Sequence, residues 1–192
     1  METYFISDTH AWHENIIKYC NRPFSNGDEM TRTIANNINA RVASGDRLIH
    51  AGDWSMGTPA MITHFREMIN CKNIILILGN HDKRIRGSQQ LRSLFTQIHG
   101  TGDYNFAGVD FKINGQHIVV CHYAMRVWEG SHHGRWHLYG HSHGTLPDDP
   151  NSMSFDIGVD CHNYKPLNMD EIAAIMAKKT WKPVDHHTGD RE

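Results

Sequence analysis

Residues Ile74-Ile75-Leu76-Ile77-Leu78 form an unbroken apolar run that passes directly into Gly79-Asn80-His81-Asp82. Such a run predicts a strand buried on both faces. Thr3–Ser7 and Arg47–Ala51 are shorter strand candidates with the same punctuation, Asp8-Thr9-His10 after the first and Gly52-Asp53 after the second. Between them the apolar spacing is helical. Met30, Ile34, Ile38 and Val42 make one stripe, in a helix that Asp28 starts and Gly45 ends. Met61, Ile62, Phe65, Met68 and Ile69 make another after Thr58-Pro59, where cap and first-turn proline stand in the favoured order. A shorter helical stretch follows His13-Glu14-Asn15 as far as Cys20, and Pro23 closes it. Strand, helix, strand, helix, strand implies right-handed crossovers and a parallel sheet. All three strands then deliver polar residues to one sheet edge, where sites gather in α/β folds.

The second half reads differently. A polar stretch, 83–90, precedes a helical piece near Leu91–Phe95. Asn114-Gly115 is a type I′ hairpin signal between Phe106–Ile113 and Gln116–Cys121. The second hairpin strand ends at His122. Trp136–Tyr139 leads into Gly140-His141-Ser142-His143-Gly144, and Phe155–Val159 ends near Asp160. Asn168 caps a last helix with Asp170 and Glu171 in its first turn and Lys178 and Lys179 in its last, matching the helix dipole. With no internal repeat or linker, residues 1–182 read as one domain and 183–192 as a flexible polar tail, which leaves His186 and His187 on the surface.

Composition narrows the class. The 192 residues are 39% hydrophobic, enough for a real core, and no run approaches the roughly 20 apolar residues of a membrane span. Met1-Glu2-Thr3-Tyr4 carries no basic n-region, so no signal peptide is expected. Cys20, Cys71, Cys121 and Cys161 lie far apart without a Cys-x-x-Cys pair, which suits free thiols in a reducing cytoplasm. A net charge of -2 gives no footprint for gripping long nucleic acid. The 16 histidines are the unusual number; they are scattered along the chain, and many sit beside Asp, Gly or Ser.

The strand ends supply Asp8, His10, Asp53, Asn80, His81, His122, His141 and His143. Each alone is as well explained as a helix cap or turn residue. Together, carboxylate oxygens and imidazole nitrogens without thiolate form a ligand set for Mn, Fe, Zn or Ni. Seven of them, all but His81, are too many for one ion and suit two ions sharing a carboxylate. Two-metal sites typically hydrolyse phosphate esters.

Asp8-x-His10, Gly52-Asp53, Gly79-Asn80-His81-Asp82, His122 and Gly140-His141-x-His143 resemble, in order, the five motifs of the calcineurin-like metallophosphoesterase superfamily. Gly158-Val159-Asp160 resembles its short single-domain bacterial and phage members. The resemblance implies an α/β fold, a four-layer α-β-β-α sandwich with two central mixed sheets and flanking helices. It implies that Asp8, His10 and His143 hold one divalent ion, that Asn80, His122 and His141 hold the other, and that Asp53 bridges them. A hydroxide shared by the ions would attack phosphorus in line, His81 would protonate the leaving oxygen, and Asp82 would fix the His81 tautomer. Arg84, Arg86, His13 and Asn15 are candidates for substrate contact; His132, His133, His137 and His162 have no assigned role. Trp54 is expected to pack beneath the bridge. The chain has Trp54-Ser55-Met56 where the superfamily's protein Ser/Thr phosphatases have Asp-Arg-Gly, and Asp82 where they have Glu. Both departures argue against a protein phosphatase. With no insertion to cap the site, the expected substrate is a small or nucleotide phosphodiester. A phosphomonoesterase, a nuclease and a non-catalytic interaction scaffold are the alternatives.

Overall fold

The structure is a computed structural model and describes residues 1–100 and 108–184. Five strands form the first sheet, in the order β4 (Gln97–His99), β3 (Asn73–Ile77), β2 (Arg47–His50), β1 (Thr3–Ile6), β9 (Leu167–Asn168). The first four are mutually parallel and β9 runs antiparallel to β1. The second sheet has the order β5 (Val109–Ile113), β6 (Gln116–Val120), β7 (Trp136–Tyr139), β8 (Ser154–Asp156). Asn114 and Gly115, both at positive φ, turn the antiparallel β5–β6 hairpin, as the Asn-Gly signal requires. The remaining neighbours are parallel. Both sheets are therefore mixed, as expected.

Alternate residues of the central strands serve two cores. Ile6, Leu48, Ile74 and Leu76 face α2 (Gly27–Asn39) and α3 (Pro59–Met68) through Met30, Ile34, Ile38, Ile62 and Phe65. Phe5, Ile49, Ile75 and Ile77 face the second sheet through Ile118, Val120, Leu138 and Phe155, with Ile172 and Met176 of α6 (Met169–Met176) closing that layer. The outer side of the second sheet is covered by the loop of 123–135, which contains a 3-10 turn at Ser131–His133, and by the chain after α6.

Several boundaries move for local reasons. Asn26, not Asp28, caps α2, because its side chain accepts the Glu29 N–H. That helix stops at Asn39, before Val42 and Gly45. Thr58 caps α3 with Pro59 in its first turn, as expected. The polar stretch 83–90 contains α4 (Lys83–Gly87) and the start of α5 (Gln89–Arg92). Asn168 and Glu171 form a capping box, but Lys178 and Lys179 lie past the end of α6. Strands β4 and β9 were not anticipated. They are too short for a periodic signal, and their partners create them. The strand expected at Phe155–Val159 ends at Asp156. Of the strand expected from Phe106, residues 106 and 107 lie outside the described residues, as does 185–192 with His186 and His187.

Leu48 is fully buried among α2 and α3. Leu48→Ala is expected to lower unfolding stability by about 2–5 kcal/mol, read from the urea midpoint; a loss near zero would mean that this core is not packed as described.

Candidate metal centre

The strand ends do not simply stop. Beyond β1, the chain stays paired with the chain beyond β2: Asp8 N–H donates to Gly52 O (3.0 Å), His10 N–H to Asp53 O (2.9 Å) and Ala11 N–H to Trp54 O (3.1 Å). The second sheet is closed likewise, with Gly140 N–H on His122 O (3.1 Å), and Val159 N–H on Ser7 O (3.1 Å) joins the two sheets. Within this frame Asp8, His10, Asp53, His141 and His143 all have left-handed φ, between 47° and 68°. Non-glycine residues occupy that region at a cost, and such positions concentrate at functional sites. The kinks turn five side chains toward one seam instead of letting them alternate across the sheets.

At the seam, Asp53 Oδ2 lies 3.4 Å from His10 Nε2 and 3.4 Å from His122 Nε2. Asn80 Oδ1 lies 2.9 Å from His122 Nε2 and 3.0 Å from His141 Nδ1. Asp8 Oδ1 is 3.9 Å from His10 Nε2 and 4.0 Å from His143 Nε2. Donors about 2.0–2.2 Å from a common ion stand roughly 3–3.5 Å from one another, so the closer spacings suit shared cations. Asp8, His10 and His143 form one group that could hold a metal ion; Asp53, His122 and His141 form another. A third, Cys20, His143 and Asp160, shares His143. Asp160 is already engaged there: it accepts from His143 Nδ1 (2.6 Å) and takes both arms of Arg22.

The donor set fits a divalent metal on two further observations. Asp8 Oδ1 and both ring nitrogens of His10 are buried and without a hydrogen-bond partner, an expensive condition unless a cation is available. Burial pushes the Asp8 carboxyl up to about 7 and holds the His10 imidazole well below its ordinary value, so neither neutralises the other. Around Asp53, burial alone would raise the carboxyl, yet the His122 and His10 imidazoles hold it below the usual carboxylate range. Burial would lower His122, but its hydrogen bond to Asp53 outweighs this and lifts it to about 9.

The ligand-type residues are held from behind. His122 Nδ1–H donates to Ala51 O (2.9 Å), and Asp160 fixes Nδ1 of His143, so both rings turn Nε2 inward. Such partners set the tautomer of a metal-binding histidine. Arg22, buried at 4% exposure, bonds Asp8 O (2.8 Å), Thr9 O (3.1 Å) and Asp160. His50 Nδ1 accepts the Gly52 N–H (3.2 Å); Nε2–H is then left to donate to Thr9 Oγ1 (2.9 Å), whose proton goes to Trp54 O (2.8 Å). This chain locks the first two strand ends together, with Trp54 packed beneath. A Cβ at Gly79 would overlap Asp53 Oδ1, and one at Gly140 would overlap Ser7 Oγ and Asp8 Oδ2; both motif glycines are needed for this approach.

Residues 1–155 match the family model of the calcineurin-like phosphoesterase superfamily domain. The chain belongs to this superfamily. It is 32% identical to the uncharacterized protein MJ1445 of Methanocaldococcus jannaschii, over 91% of each chain. Its fold is similar to that of AQ665 from Aquifex aeolicus, a protein of unknown function, at TM-score 0.66 and 22% identity, covering 91% of this chain and 98% of that one. Superfamily membership makes the protein a metal-binding hydrolase of phosphoesters.

Of the other phosphoesterase residues read from sequence, His81 is exposed at the centre's edge, its ring 5.3 Å from that of His10, and its N–H donates to Asp53 Oδ1 (2.8 Å). His13 is close by, 5.3 Å from His10 and 6.1 Å from His81 between ring centres. Asn15 and Arg84 are exposed on α1 (Glu14–Tyr19) and α4, and their side chains make no hydrogen bond or ion pair to the centre among the described residues. Asp82 corrects the sequence reading. Its carboxylate, 1% exposed, accepts the N–H groups of Asp53 (2.8 Å), Trp54 (2.9 Å) and Gly79 (2.9 Å), so it ties together the loops after β2 and β3 instead of orienting His81. His137 is buried, bonded to Val119 O and Met125 N–H; His162 reaches Asp156 O (2.7 Å), and the rings of His132 and His133 lie 4.0 Å apart between centres, tilted by 47°. Arg22, His50 and Thr9 went unread because nothing local marks them. Arg22 and Asp160 stand 138 positions apart.

Arg22→Leu would strip the guanidinium from Asp160, leaving it only His143, and would leave the Asp8 and Thr9 carbonyls without that donor in a buried setting. The expected loss is about 3–5 kcal/mol, measured by urea unfolding of metal-free protein. An unchanged midpoint would show that Arg22 does not hold the first loop.

Proposed function

We propose that the protein is a two-metal phosphodiesterase acting on small or nucleotide phosphodiesters. The observation that carries this reading is the position of Asp53 Oδ2, equally distant from an imidazole of each ligand group. Asp8, His10 and His143 would hold one ion and Asn80, His122 and His141 the other, with Asp53 between them; Mn, Fe, Zn and Ni suit these donors. When bound, such a pair lowers the pKa of a coordinated water from about 15.7 to about 7 and offsets charge on phosphate oxygens.

The chain's own residues do the rest. Asp82 and the His50–Thr9 chain fix the Asp53 loop, so the bridging oxygen does not reorganise during reaction. His81 is exposed and its backbone is anchored on Asp53, which leaves its ring to give a proton to the leaving oxygen. His13, whose Nδ1 is buried without a partner, borders the same space. His141 is also exposed while His10, Asp53 and His122 are buried, so the centre opens to solvent on the side where a diester would enter. Arg22 is engaged by Asp160. No disulfide joins the cysteines, which suits a reducing cytosol; no described helix is long and apolar enough to cross a membrane.

With Mn²⁺, turnover of bis(p-nitrophenyl) phosphate is expected to exceed that of p-nitrophenyl phosphate. The reverse order would make the protein a monoesterase, and no turnover of either, with metal bound, would favour a scaffold. At 100 times its Kd, the metal should stabilise the fold by about 2.7 kcal/mol, raising Tm by roughly 5–10 °C for a chain of this size. Metal analysis should find that Asp53→Asn empties both positions and His143→Ala mainly one; equal losses would count against the bridge. For His81→Ala, kcat should fall about 10²–10⁴-fold on a diester with an alkoxide leaving group and far less on one releasing p-nitrophenolate. Equal losses on both would make His81 a phosphate-positioning residue, and loss of metal would make it a ligand.

A further inference from the structure

A cavity of about 560 Å³ lies on the outer side of the second sheet, and none of the seven ligand-type residues lines it. Its walls nevertheless grow from the same loops. Ala124 stands two residues after His122, Tyr139 two before His141 and Leu146 three after His143, and two residues span at most about 7 Å. Tyr123 is the link, its ring 5.0 Å from that of His122 and 4.6 Å from that of His141. One edge of the cavity wall is therefore tied by short chain segments to His122 and His141.

Its lining is aromatic and polar together. Trp128, Trp181 and Tyr139 contribute rings, Asn151 an amide, and Arg126, Lys182 and Asp149 charges of both signs. Leu146 and Trp181, two of the large apolar side chains that remain exposed, both open here, at 44% and 45%. Trp181 is not a loose surface residue. Its Nε1–H donates to Ser131 O (3.2 Å), and its flanking N–H groups, Thr180 and Lys182, donate to Pro150 O (2.7 Å) and Asn151 O (2.9 Å). The Asn151 side-chain amide and the Tyr139 hydroxyl make no hydrogen bond among the described residues. A pre-formed cleft of this volume is of ligand size. Leu146, Met153 and Val184 add apolar walls; indole and phenol faces beside an amide and hydroxyls match a planar base, whose faces stack and whose edge forms hydrogen bonds.

We propose that this cavity is the subsite for a nucleobase of the diester substrate, with Trp181 as stacking face and Asn151 at the base edge. The proposal rests on the phosphodiesterase reading for the phosphate's position and adds the substrate class: a nucleotide diester.

The test compares the p-nitrophenyl ester of thymidine 5′-monophosphate with methyl p-nitrophenyl phosphate, two diesters with one leaving group, on metal-loaded protein. The kcat/KM should favour the nucleoside ester by roughly tenfold or more, the scale of one base stacked on an aromatic side chain. That ratio should fall toward one in Trp181→Ala and drop in Asn151→Ala, chiefly through KM. Equal kcat/KM for both diesters in the unaltered protein would overturn the subsite and leave the diesterase reading standing. If neither diester is turned over, saturable quenching of tryptophan fluorescence by thymidine 5′-monophosphate, lost in Trp181→Ala, would sustain the subsite and sink the diesterase reading. Absence of that quenching would sink both. A dimer in solution that Trp181→Ala dissociates would assign this face to a second copy of the chain and overturn the proposal.

Discussion

Asp53 keeps one carboxylate oxygen on the His81 N–H and turns the other toward His10 and His122. The first bond decides which oxygen is left for the seam, and the seam is where the two sheets meet. Because Asp53 is held at left-handed φ directly after β2, it can be reached from both sides. The loop beyond β1 brings His10, and the chain beyond β6 brings His122. Every other group at the centre is placed relative to this oxygen.

That placement is costly, and the surrounding structure is built to meet the cost. Two carboxylates and several imidazoles are taken out of water with unmatched donors and acceptors. Left-handed backbone at five of these residues adds strain. Against this stand the paired loops, the three N–H groups on Asp82 and the Arg22–Asp160 pair. Glycines 79 and 140 contribute by having no side chain where carboxylate oxygens must pass. A cation is the natural complement to what remains, since Asp8 Oδ1 and both nitrogens of His10 have no other partner.

The second sheet does two jobs with its two faces. Leu138 and Phe155 on the inner face close the core against β1–β3. Tyr139, one residue along, points the other way and lines the cavity beyond the centre. Period-two alternation thus places one strand, β7, between core and cleft, while its continuation supplies His141 and His143. The loop of 123–135 and the strap after α6 then wall the cleft without burying it.

By itself the sequence determined the strands that matter, β1, β2 and β3, and the polar groups at their ends. Buried strands and strand-end motifs are written in contiguous residues, and the five motifs stand in the order of one superfamily. The Asn-Gly hairpin, the Thr58-Pro59 start and the Asn168 cap were legible for the same reason: each is local chemistry. Only the tertiary structure decided the work of Asp82, which looked like a partner for the residue beside it and instead gathers three backbone N–H groups from two loops. It alone disclosed Arg22, His50 and Thr9, whose roles depend on partners as far as 138 positions away. It alone made strands of Gln97–His99 and Leu167–Asn168, too short to form without a neighbour to pair with. Hydrogen bonds and cavities between distant segments have no period and no spacing, so a one-dimensional pattern does not carry them.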